Sequence, residues 1–294
     1  MNASKSSAQR LYRDHTRRFE GNRFVYPVLS RRSGGISIGV NLNPDKVCNF
    51  DCIYCQVDRV RQSETRFVDV DALLGELDRM LPWVASGEIY NHEKFAATPA
   101  ERRRLNDVAF SGDGEPTTYR NFDELMNRCA EVKRRHGLDG VKMILITNAS
   151  MFHRPHVRRG LQCLMRNNGE IWAKLDAGSE AYYRRIERTS IPFQQVLENL
   201  AWAACRWPLV IQSLFMRVQD SPPTDDEIEA FGKRLSEIIA AGGRIKRVQV
   251  YTVARPAAES YVTPLSNAEV DRIADRVHRQ TNQPTQAFYG SSTV

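Results

Sequence analysis

Short apolar runs alternate with longer stretches of helical periodicity along most of the chain. The strand-like runs are at residues 36–43, 107–111, 141–147, 170–175, 209–215 and 245–253. The helix-like segments that follow them are at residues 70–84, 122–135, 156–166, 180–186 with 193–205, 225–241 and 267–279. Buried strands that alternate with helices indicate a parallel sheet of βα units. The pattern therefore predicts an α/β fold with six βα units.

Six βα units fit an incomplete barrel, so the predicted fold is a partial (βα)6 TIM-like barrel with parallel strands. The 294 residues give room for one large domain of this kind. No internal repeat or convincing linker divides the chain. We predict a basic N-terminal extension over residues 1–34, the barrel over residues 35–280 and a C-terminal tail over residues 281–294. In βα barrels the active groups lie at the C-terminal ends of the strands.

Basic residues are concentrated at the start of the chain. Residues 1–34 contain eight Lys and Arg against two Asp and Glu, which accounts for six of the seven excess positive charges. A basic arm ahead of a near-neutral body is typical of chains that bind nucleic acid or another acidic partner. A solvated extension that packs loosely on the barrel explains the charge equally well. Both interpretations stay open at this point.

The apolar segments and the cysteines indicate a reducing compartment without a membrane. The longest apolar stretches are interrupted and too short to cross a bilayer, and the first ten residues lack the apolar core of a secretory signal. Six cysteines are few for this length, so a disulfide scaffold is not expected. We expect Cys129, Cys163 and Cys205 to be small buried hydrophobes in helices. A cytoplasmic location follows as an expectation.

The strongest chemical signal is a loop with three cysteines directly after the first predicted strand. Cys48, Cys52 and Cys55 are spaced four and then three positions apart. Three thiolates on one loop can ligate three irons of a [4Fe–4S] cluster, which usually has four protein ligands. No fourth cysteine lies nearby, so one iron would stay open for a small molecule. The rival interpretations are a structural zinc knuckle, which normally needs four ligands, and a chance group of buried thiols.

Small and polar residues follow three later strands. Gly112, Gly114 and Glu115 come after the second strand, where glycine permits backbone geometries and close approaches that a Cβ would block. Asn148 follows the third strand and Asp176 follows the fourth. Such residues are also common in ordinary turns. Their position at the carboxyl ends of parallel strands makes them candidates for a binding site.

The cysteine spacing, with Tyr54 just before the last cysteine, resembles the signature of the radical S-adenosylmethionine (SAM) superfamily. Residues 39–56 are similar to the branch that contains the wyosine-forming tRNA enzymes. Residues 112–115 resemble the superfamily's Gly-Gly-Glu type of motif, with Asp113 in place of its second glycine. The typical wyosine-forming enzyme has further cysteines for an additional cluster. No cysteine precedes Cys48 here, and this departure puts the same reaction in doubt.

The resemblance implies two cofactors and a role for each candidate residue. One [4Fe–4S] cluster would be held by the three cysteines, and SAM would bind its open iron. In the family, the Gly112, Gly114 and Glu115 positions hold the amino group of SAM. The resemblance places Tyr54 against the adenine, and Asn148 and Asp176 near the ribose or the methionine carboxylate.

The implied chemistry is reductive cleavage of SAM to methionine and a 5′-deoxyadenosyl radical, which abstracts hydrogen from a substrate. The electron would come from an external low-potential donor of the flavodoxin or ferredoxin type. A base in tRNA or another RNA, bound through the basic arm, is the favoured substrate. The alternatives are a peptide or small metabolite as substrate, or a noncatalytic zinc-stabilised RNA-binding protein. In the last case Asp51 or a distant His would complete the zinc site.

Overall fold

Eight strands follow one another in one mostly parallel sheet, in the order β1-β2-β3-β4-β5-β6-β8-β10. The computed structural model describes residues 17, 19–59 and 63–290. The strands are β1 (Val25–Ser30), β2 (Gly35–Val40), β3 (Leu105–Phe110), β4 (Lys142–Thr147), β5 (Gly169–Lys174), β6 (Leu209–Leu214), β7 (Arg217–Val218), β8 (Ile245–Tyr251), β9 (Val262–Thr263) and β10 (Thr285–Phe288). The helices are α1 (Val70–Ala85), α2 (Phe122–Arg135), α3 (Pro155–Arg166), α4 (Glu180–Glu187), α5 (Phe193–Ala204), α6 (Asp225–Ala240) and α7 (Asn267–Thr281).

The order of these elements confirms the predicted fold class. Strands β2, β3, β4, β5, β6 and β8 are each followed by one or two helices, which gives the six expected βα units. Each predicted strand and helix has its counterpart in the structure. Most of their first and last residues differ from the predicted ones by two positions or fewer. Two strands of the large sheet were not predicted. Strand β1 pairs antiparallel with β2, and β10 pairs parallel with β8.

The chain divides into two compact units, which do not follow the linear order of the sequence. The first comprises residues 1–47, 62–146 and 155–170, and the second comprises residues 48–61, 147–154 and 171–294. The boundaries predicted at residues 34 and 280 stay predictions. Strand β1 lies inside the predicted N-terminal extension, and β10 lies inside the predicted tail.

The first unit packs helices against its strands through apolar side chains. Strand β2 is buried at all six positions, and β3 is buried over its last four residues. The buried positions of α1 recur at helical spacing, as expected for a helix with one face on a sheet. Those apolar positions are Leu73, Leu77, Met80, Leu81 and Val84. Glu76 lies on the same face and accepts hydrogen bonds from the backbone amides of residues 23–25 at the start of β1.

The second unit contains the later strands and helices α4 to α7. Strand β6 is buried at all six positions and pairs parallel with β8 over its whole length. Helix α7 begins with a capping box, in which Ser266 and Glu269 satisfy each other's backbone amides. Thr224 caps α6, because its side chain accepts from the amide of Glu227. These caps explain why the helices begin where the sequence pattern predicts them.

The three cysteines outside the loop differ in exposure. Cys129 is buried in α2, as predicted, and its burial raises the pKa of the thiol to about 12. Cys163 is only half-buried, and Cys205 is exposed at the end of α5. The prediction of a buried hydrophobe is therefore wrong for Cys205, because the helix turns this position towards solvent. Within the described ranges, no helix combines the length and the apolar character that a membrane span requires.

Candidate functional site

The cysteine loop is held in the second unit by backbone hydrogen bonds to the end of α4. The amide of Asp51 donates to the carbonyl of Glu187 at 3.1 Å, and the amide of Ile53 donates to the carbonyl of Ile186 at 2.9 Å. The carbonyl of Ile53 accepts from the amide of Glu259 at 3.1 Å. A loop without regular secondary structure needs such partners for its buried polar groups. The cysteines are thereby fixed relative to α4.

The three thiols have different neighbours. Cys52 Sγ donates to Oε2 of Glu187 at 2.7 Å. The guanidinium of Arg59 interacts with both of the other thiols and lies 3.6 Å from Sγ of Cys55. Burial, and then the charge of Glu187, raise the pKa of Cys52 well above its ordinary value. Metal ligation requires the thiolate form, so the hydrogen bond from Cys52 to Glu187 is lost when that sulfur binds a metal.

Tyr54 connects the loop to a buried polar cluster. Its hydroxyl lies 2.5 Å from Oδ2 of Asp176 and 2.8 Å from Oε1 of Glu187. Oδ1 of Asp176 accepts from the backbone amide of Leu214 at 2.6 Å. Lys174 Nζ completes the cluster, 2.9 Å from Oδ2 of Asp176 and 2.9 Å from the hydroxyl of Tyr251. Each of these groups thus has a partner of complementary chemistry.

Burial and mutual charge shift the pKa values within this cluster. Burial, and then the charge of Asp176, raise the pKa of Glu187 to about 8. Burial alone would lower the pKa of Lys174, but the charges of Asp176, Tyr251 and Glu187 outweigh it and raise this pKa. The pKa of Tyr54 is also raised well above its usual value by burial and by Asp176. The raised pKa values keep Lys174 as an ammonium and Tyr54 as a neutral phenol, and they favour the protonated form of Glu187 more than in an exposed glutamate.

Asn148 lies against the cysteine loop. Its Nδ2 donates to Oδ1 of Asn49 at 2.9 Å, and its Oδ1 accepts from the hydroxyl of Ser150 at 2.6 Å. Asn49 Nδ2 in turn donates to Ser150 Oγ at 2.8 Å, which closes a ring of three side chains. Because Asn49 follows Cys48 directly, this ring positions the start of the loop. The structure thus gives Asn148 a contact with the loop itself.

In the first unit, Gly112, Gly114 and Glu115 form one tight turn after β3. A Cβ on Gly112 would lie 2.1 Å from Oδ1 of Asn41, and a Cβ on Gly114 would lie 2.2 Å from the carbonyl oxygen of Val47. Both distances are far below van der Waals contact, so only glycine fits at these two positions. The turn is thereby packed against residues 41–47.

The carboxylates of the same turn have partners within the first unit. Glu115 is buried, and its Oε1 accepts from the amide and the hydroxyl of Thr117. It thereby caps the short 3-10 turn Pro116–Thr118. Asp113 accepts from Arg17 at 2.6 Å and from Nδ2 of Asn41 at 2.7 Å. Arg17 belongs to the predicted basic arm, whose Arg13 and Arg18 lie outside the described residues.

Sequence reasoning missed Glu187, Lys174 and Tyr251 as members of the polar cluster. A signal for Glu187 was present, because Tyr183, Ile186 and Glu187 are spaced as one face of a helix, and all three are buried. A carboxylate on the apolar face of a helix needs a partner. Lys174 and Tyr251 are the last residues of β5 and β8, which is where side chains of a βα fold carry function.

The donor set, three thiols on one loop, is of the kind that a [4Fe–4S] cluster takes. Across residues 17, 19–59 and 63–290, no three His, Cys, Asp or Glu side chains are grouped so as to hold one metal ion. The ligands of one zinc ion converge on one point. The three cysteines of a [4Fe–4S] cluster each bind a different iron and lie further apart. For the zinc alternative, with Asp51 or a His as fourth ligand, no compact group of ligands is found among the described residues.

Comparison with known proteins identifies relatives from several bacteria and an archaeon. The chain is similar to a UPF0026 protein of Helicobacter pylori, with 26% identity over 242 residues that cover 79% of this chain and 66% of that one. It is also similar to a UPF0026 protein of Methanocaldococcus jannaschii, with 25% identity over 81% of this chain and 65% of that one. A Brachyspira hyodysenteriae protein named GTPase Obg is 24% identical over 84% of this chain but only 32% of its own length. The chain thus spans between 32% and 66% of the length of these relatives.

A solved structure supports the fold alone. The structure of TYW1 with a lysine–pyruvate adduct bound superposes with a TM-score of 0.50 at 17% identity, covering 83% of this chain and 73% of that chain.

The sequence model of the Radical SAM superfamily matches residues 42–220, which include all three loop cysteines and Asp176. This match extends over more than half of the chain. The chain therefore belongs to the radical SAM superfamily.

Proposed function

We propose that this chain is a radical SAM enzyme that reductively cleaves SAM at a [4Fe–4S] cluster and uses the product radical to abstract hydrogen from an RNA base. Membership of the superfamily implies the cluster and SAM as cofactors. The observation that carries the proposal is the cysteine loop, because three thiols on one loop are tied to a buried polar cluster through Tyr54.

Cys48, Cys52 and Cys55 would hold the cluster in this proposal. The bound cluster and SAM supply one-electron cleavage of a sulfonium bond and a 5′-deoxyadenosyl radical. Arg59, beside two of the thiols, offers a positive charge next to a centre that thiolate ligands make negative. Asn148 positions the start of the loop through Asn49.

The residues of the polar cluster would bind and orient the polar groups of SAM. Asp176 and Glu187 can accept hydrogen bonds from hydroxyl or ammonium groups, and Lys174 offers a positive charge to a carboxylate. Tyr54 presents an aromatic ring close to the loop. The assignment of Gly112, Gly114 and Glu115 to the amino group of SAM stays a prediction from the motif. An external flavodoxin or ferredoxin would supply the electron.

The proposal of an RNA substrate rests on charge and on the family branch. Six of the seven excess positive charges lie in residues 1–34, and such an arm favours a polyanion. A peptide or a small metabolite is the competing substrate class. The cytoplasmic location stays a prediction.

Cluster loading tests the first part of the proposal. The purified chain is reconstituted anaerobically with iron and sulfide, and both elements are counted per chain. We expect about four of each, and each of the variants Cys48→Ser, Cys52→Ser and Cys55→Ser should lose most of both. Cys205→Ser, at an exposed cysteine outside the loop, is the matched control and should load normally. A protein that retains only zinc after reconstitution would contradict the proposal.

RNA binding tests the second part. Replacement of Arg13, Arg17 and Arg18 by Gln should weaken binding of tRNA and lower the slope of log affinity against log salt by about 2. The control is the same charge change at Arg154, Arg272 and Arg279, which are exposed and lie outside the arm. If the wild-type chain has negligible affinity for tRNA at low salt, the RNA substrate is wrong and a peptide or small metabolite takes its place.

A further inference from the structure

Two glutamines face each other inside the second unit. Gln212 of β6 and Gln249 of β8 are direct cross-strand partners, and neither side chain is exposed at all. Nε2 of Gln212 donates to Oε1 of Gln249 at 2.8 Å. Glutamine is rarely buried so completely, so its remaining polar atoms need partners.

The pair leaves one acceptor and one donor unused. Oε1 of Gln212 and Nε2 of Gln249 have no hydrogen-bond partner among the described residues. Exchange of oxygen and nitrogen in both amides gives the same result, since one carbonyl and one NH2 group would still be left over. A buried donor and acceptor without partners are costly, and in a folded protein they indicate a ligand or an ordered water.

The glutamine pair continues the polar cluster of the candidate site. Lys174 is the cross-strand partner of Gln212, so Lys174, Gln212 and Gln249 form one row on the same face of the sheet. Tyr251 lies on this face too, two residues after Gln249, and its hydroxyl accepts from Lys174. Lys174 and Tyr251 are partly exposed, so the polar face reaches solvent at the carboxyl ends of the strands. The row therefore runs from two fully buried amides to two partly exposed side chains, and a ligand would have to enter along it.

The unused atoms select the geometry of the ligand. They are one acceptor and one donor on adjacent strands, so a ligand that satisfies both must itself carry a donor and an acceptor. A single trans peptide unit is planar and directs its N–H and C=O to opposite sides, so it does not present both on one edge. Every nucleobase has a donor next to an acceptor on one edge, and side-chain amides bind such edges in pairs.

We propose that Gln212 and Gln249 bind the hydrogen-bonding edge of the substrate nucleobase. The inference rests on the proposed function, because it names the part of the second unit that recognises the base. The adenine of SAM has a similar edge and is the other source of the same chemistry. The experiment below separates the two.

Nucleotide binding to the full chain tests the inference directly. Equilibrium dialysis is carried out with GMP, UMP and CMP, with 5′-deoxyadenosine for the cofactor base, and with N-acetylglycine N-methylamide as a peptide unit. At least one of the three nucleotides should bind. The variant Gln212→Met/Gln249→Met should weaken that binding about 30-fold, as expected for two lost hydrogen bonds. Gln286→Met, at an exposed glutamine one strand further along the same row, should change it less than twofold.

A folding control excludes a trivial loss of binding. Replacing both partners of a buried hydrogen bond by apolar side chains of similar length should leave the melting temperature unchanged or raise it. If the double variant fails to fold, nucleotide binding is measured with the single variants Gln212→Met and Gln249→Met instead. Each should weaken nucleotide binding by less than the double variant.

Several results would overturn the inference. The pair has another role if no nucleotide binds, if the double variant binds nucleotides as well as wild type does, or if only 5′-deoxyadenosine or the peptide unit depends on it. Formation of 5′-deoxyadenosine by the wild-type reconstituted chain tests the proposed function separately. If that product forms but nucleotide binding does not depend on Gln212 and Gln249, the inference fails and the proposed function stands. If the product does not form but nucleotides depend on the pair, the proposed reaction fails and the base site stands.

Discussion

The hydroxyl of Tyr54 lies 2.5 Å from Oδ2 of Asp176 in the second unit. The same hydroxyl lies 2.8 Å from Oε1 of Glu187, so one phenol serves two buried carboxyl groups. A phenol has one proton to donate, and burial together with the charge of Asp176 raises the pKa of Glu187, which favours a second proton on this carboxyl group. Tyr54 stands between Cys52 and Cys55, and it therefore couples the position of the cysteine loop to the end of β5.

Tyr54→Phe removes this connection. We expect the free energy of unfolding to fall by about 1–3 kcal/mol, because buried carboxyl groups lose a hydrogen-bond donor. Urea unfolding of the two proteins measures the difference. Tyr289→Phe removes an exposed hydroxyl that donates to Asp271, and it should have no measurable effect. Equal stability of Tyr54→Phe and wild type would show that the loop is not tied to Asp176 in solution.

Lys174→Met leaves Asp176 without its cation. The Asp176 side chain is 0% exposed, and removal of one partner of a buried ion pair is strongly destabilising. We expect a loss of about 3 kcal/mol in the free energy of unfolding, measured by urea at pH 7. The matched control is Arg184→Met, which breaks an exposed ion pair with Glu180 and should cost at most about 0.5 kcal/mol. Similar small effects in both variants would contradict a buried charge pair.

Gly114→Ala tests the tight turn of the first unit. The added Cβ would lie 2.2 Å from the carbonyl oxygen of Val47 and 2.8 Å from Cβ of Asn43, so the backbone must move. We expect a loss of about 1–3 kcal/mol in thermal or urea unfolding. Gly140→Ala is the control, since its Cβ would have nothing within 4 Å. If the two variants are equally stable, the turn does not pack against residues 41–47 as described.

Alkylation distinguishes the cysteines outside the loop. The thiol of Cys129 is buried and its pKa is raised to about 12, whereas Cys205 is exposed. Only the thiolate reacts with iodoacetamide, so we expect Cys205 to be modified at least about 100-fold faster at pH 8. Peptide mass spectrometry after timed quenching gives both rates. Comparable rates would mean that α2 opens readily and that Cys129 is not part of a stable core.

Hydrophobic periodicity predicted the six βα units because each helix buries one face and each central strand contains buried apolar residues. It missed β1 for a physical reason. Pro27 interrupts that run, and proline in a strand is tolerated mainly at a sheet edge, which is where β1 lies. The four residues of β10 are too few for a periodic signal. Edge strands owe their structure to pairing with a neighbour, which the local pattern does not contain.

The sequence predicted the part of the candidate site that lies in a local motif. It did not predict the part that residues far apart in the chain form together. The spacing of Cys48, Cys52 and Cys55 can be read from the chain alone. The contact of Tyr54 with Asp176 joins residues 122 positions apart, and that of Cys52 with Glu187 joins residues 135 apart. The Gln212–Gln249 pair likewise depends on strand register. Such contacts follow from tertiary packing, so the sequence could name some of the partners but not their arrangement.

The most direct test of the central claim is the formation of 5′-deoxyadenosine from SAM by the anaerobically reconstituted and reduced chain. We predict that the wild-type protein forms this product and that Cys52→Ser does not, whereas Cys205→Ser retains the activity. Chromatography with mass detection measures the product per chain. A wild-type protein that holds four irons, binds SAM and yet forms no 5′-deoxyadenosine on reduction would contradict the claim.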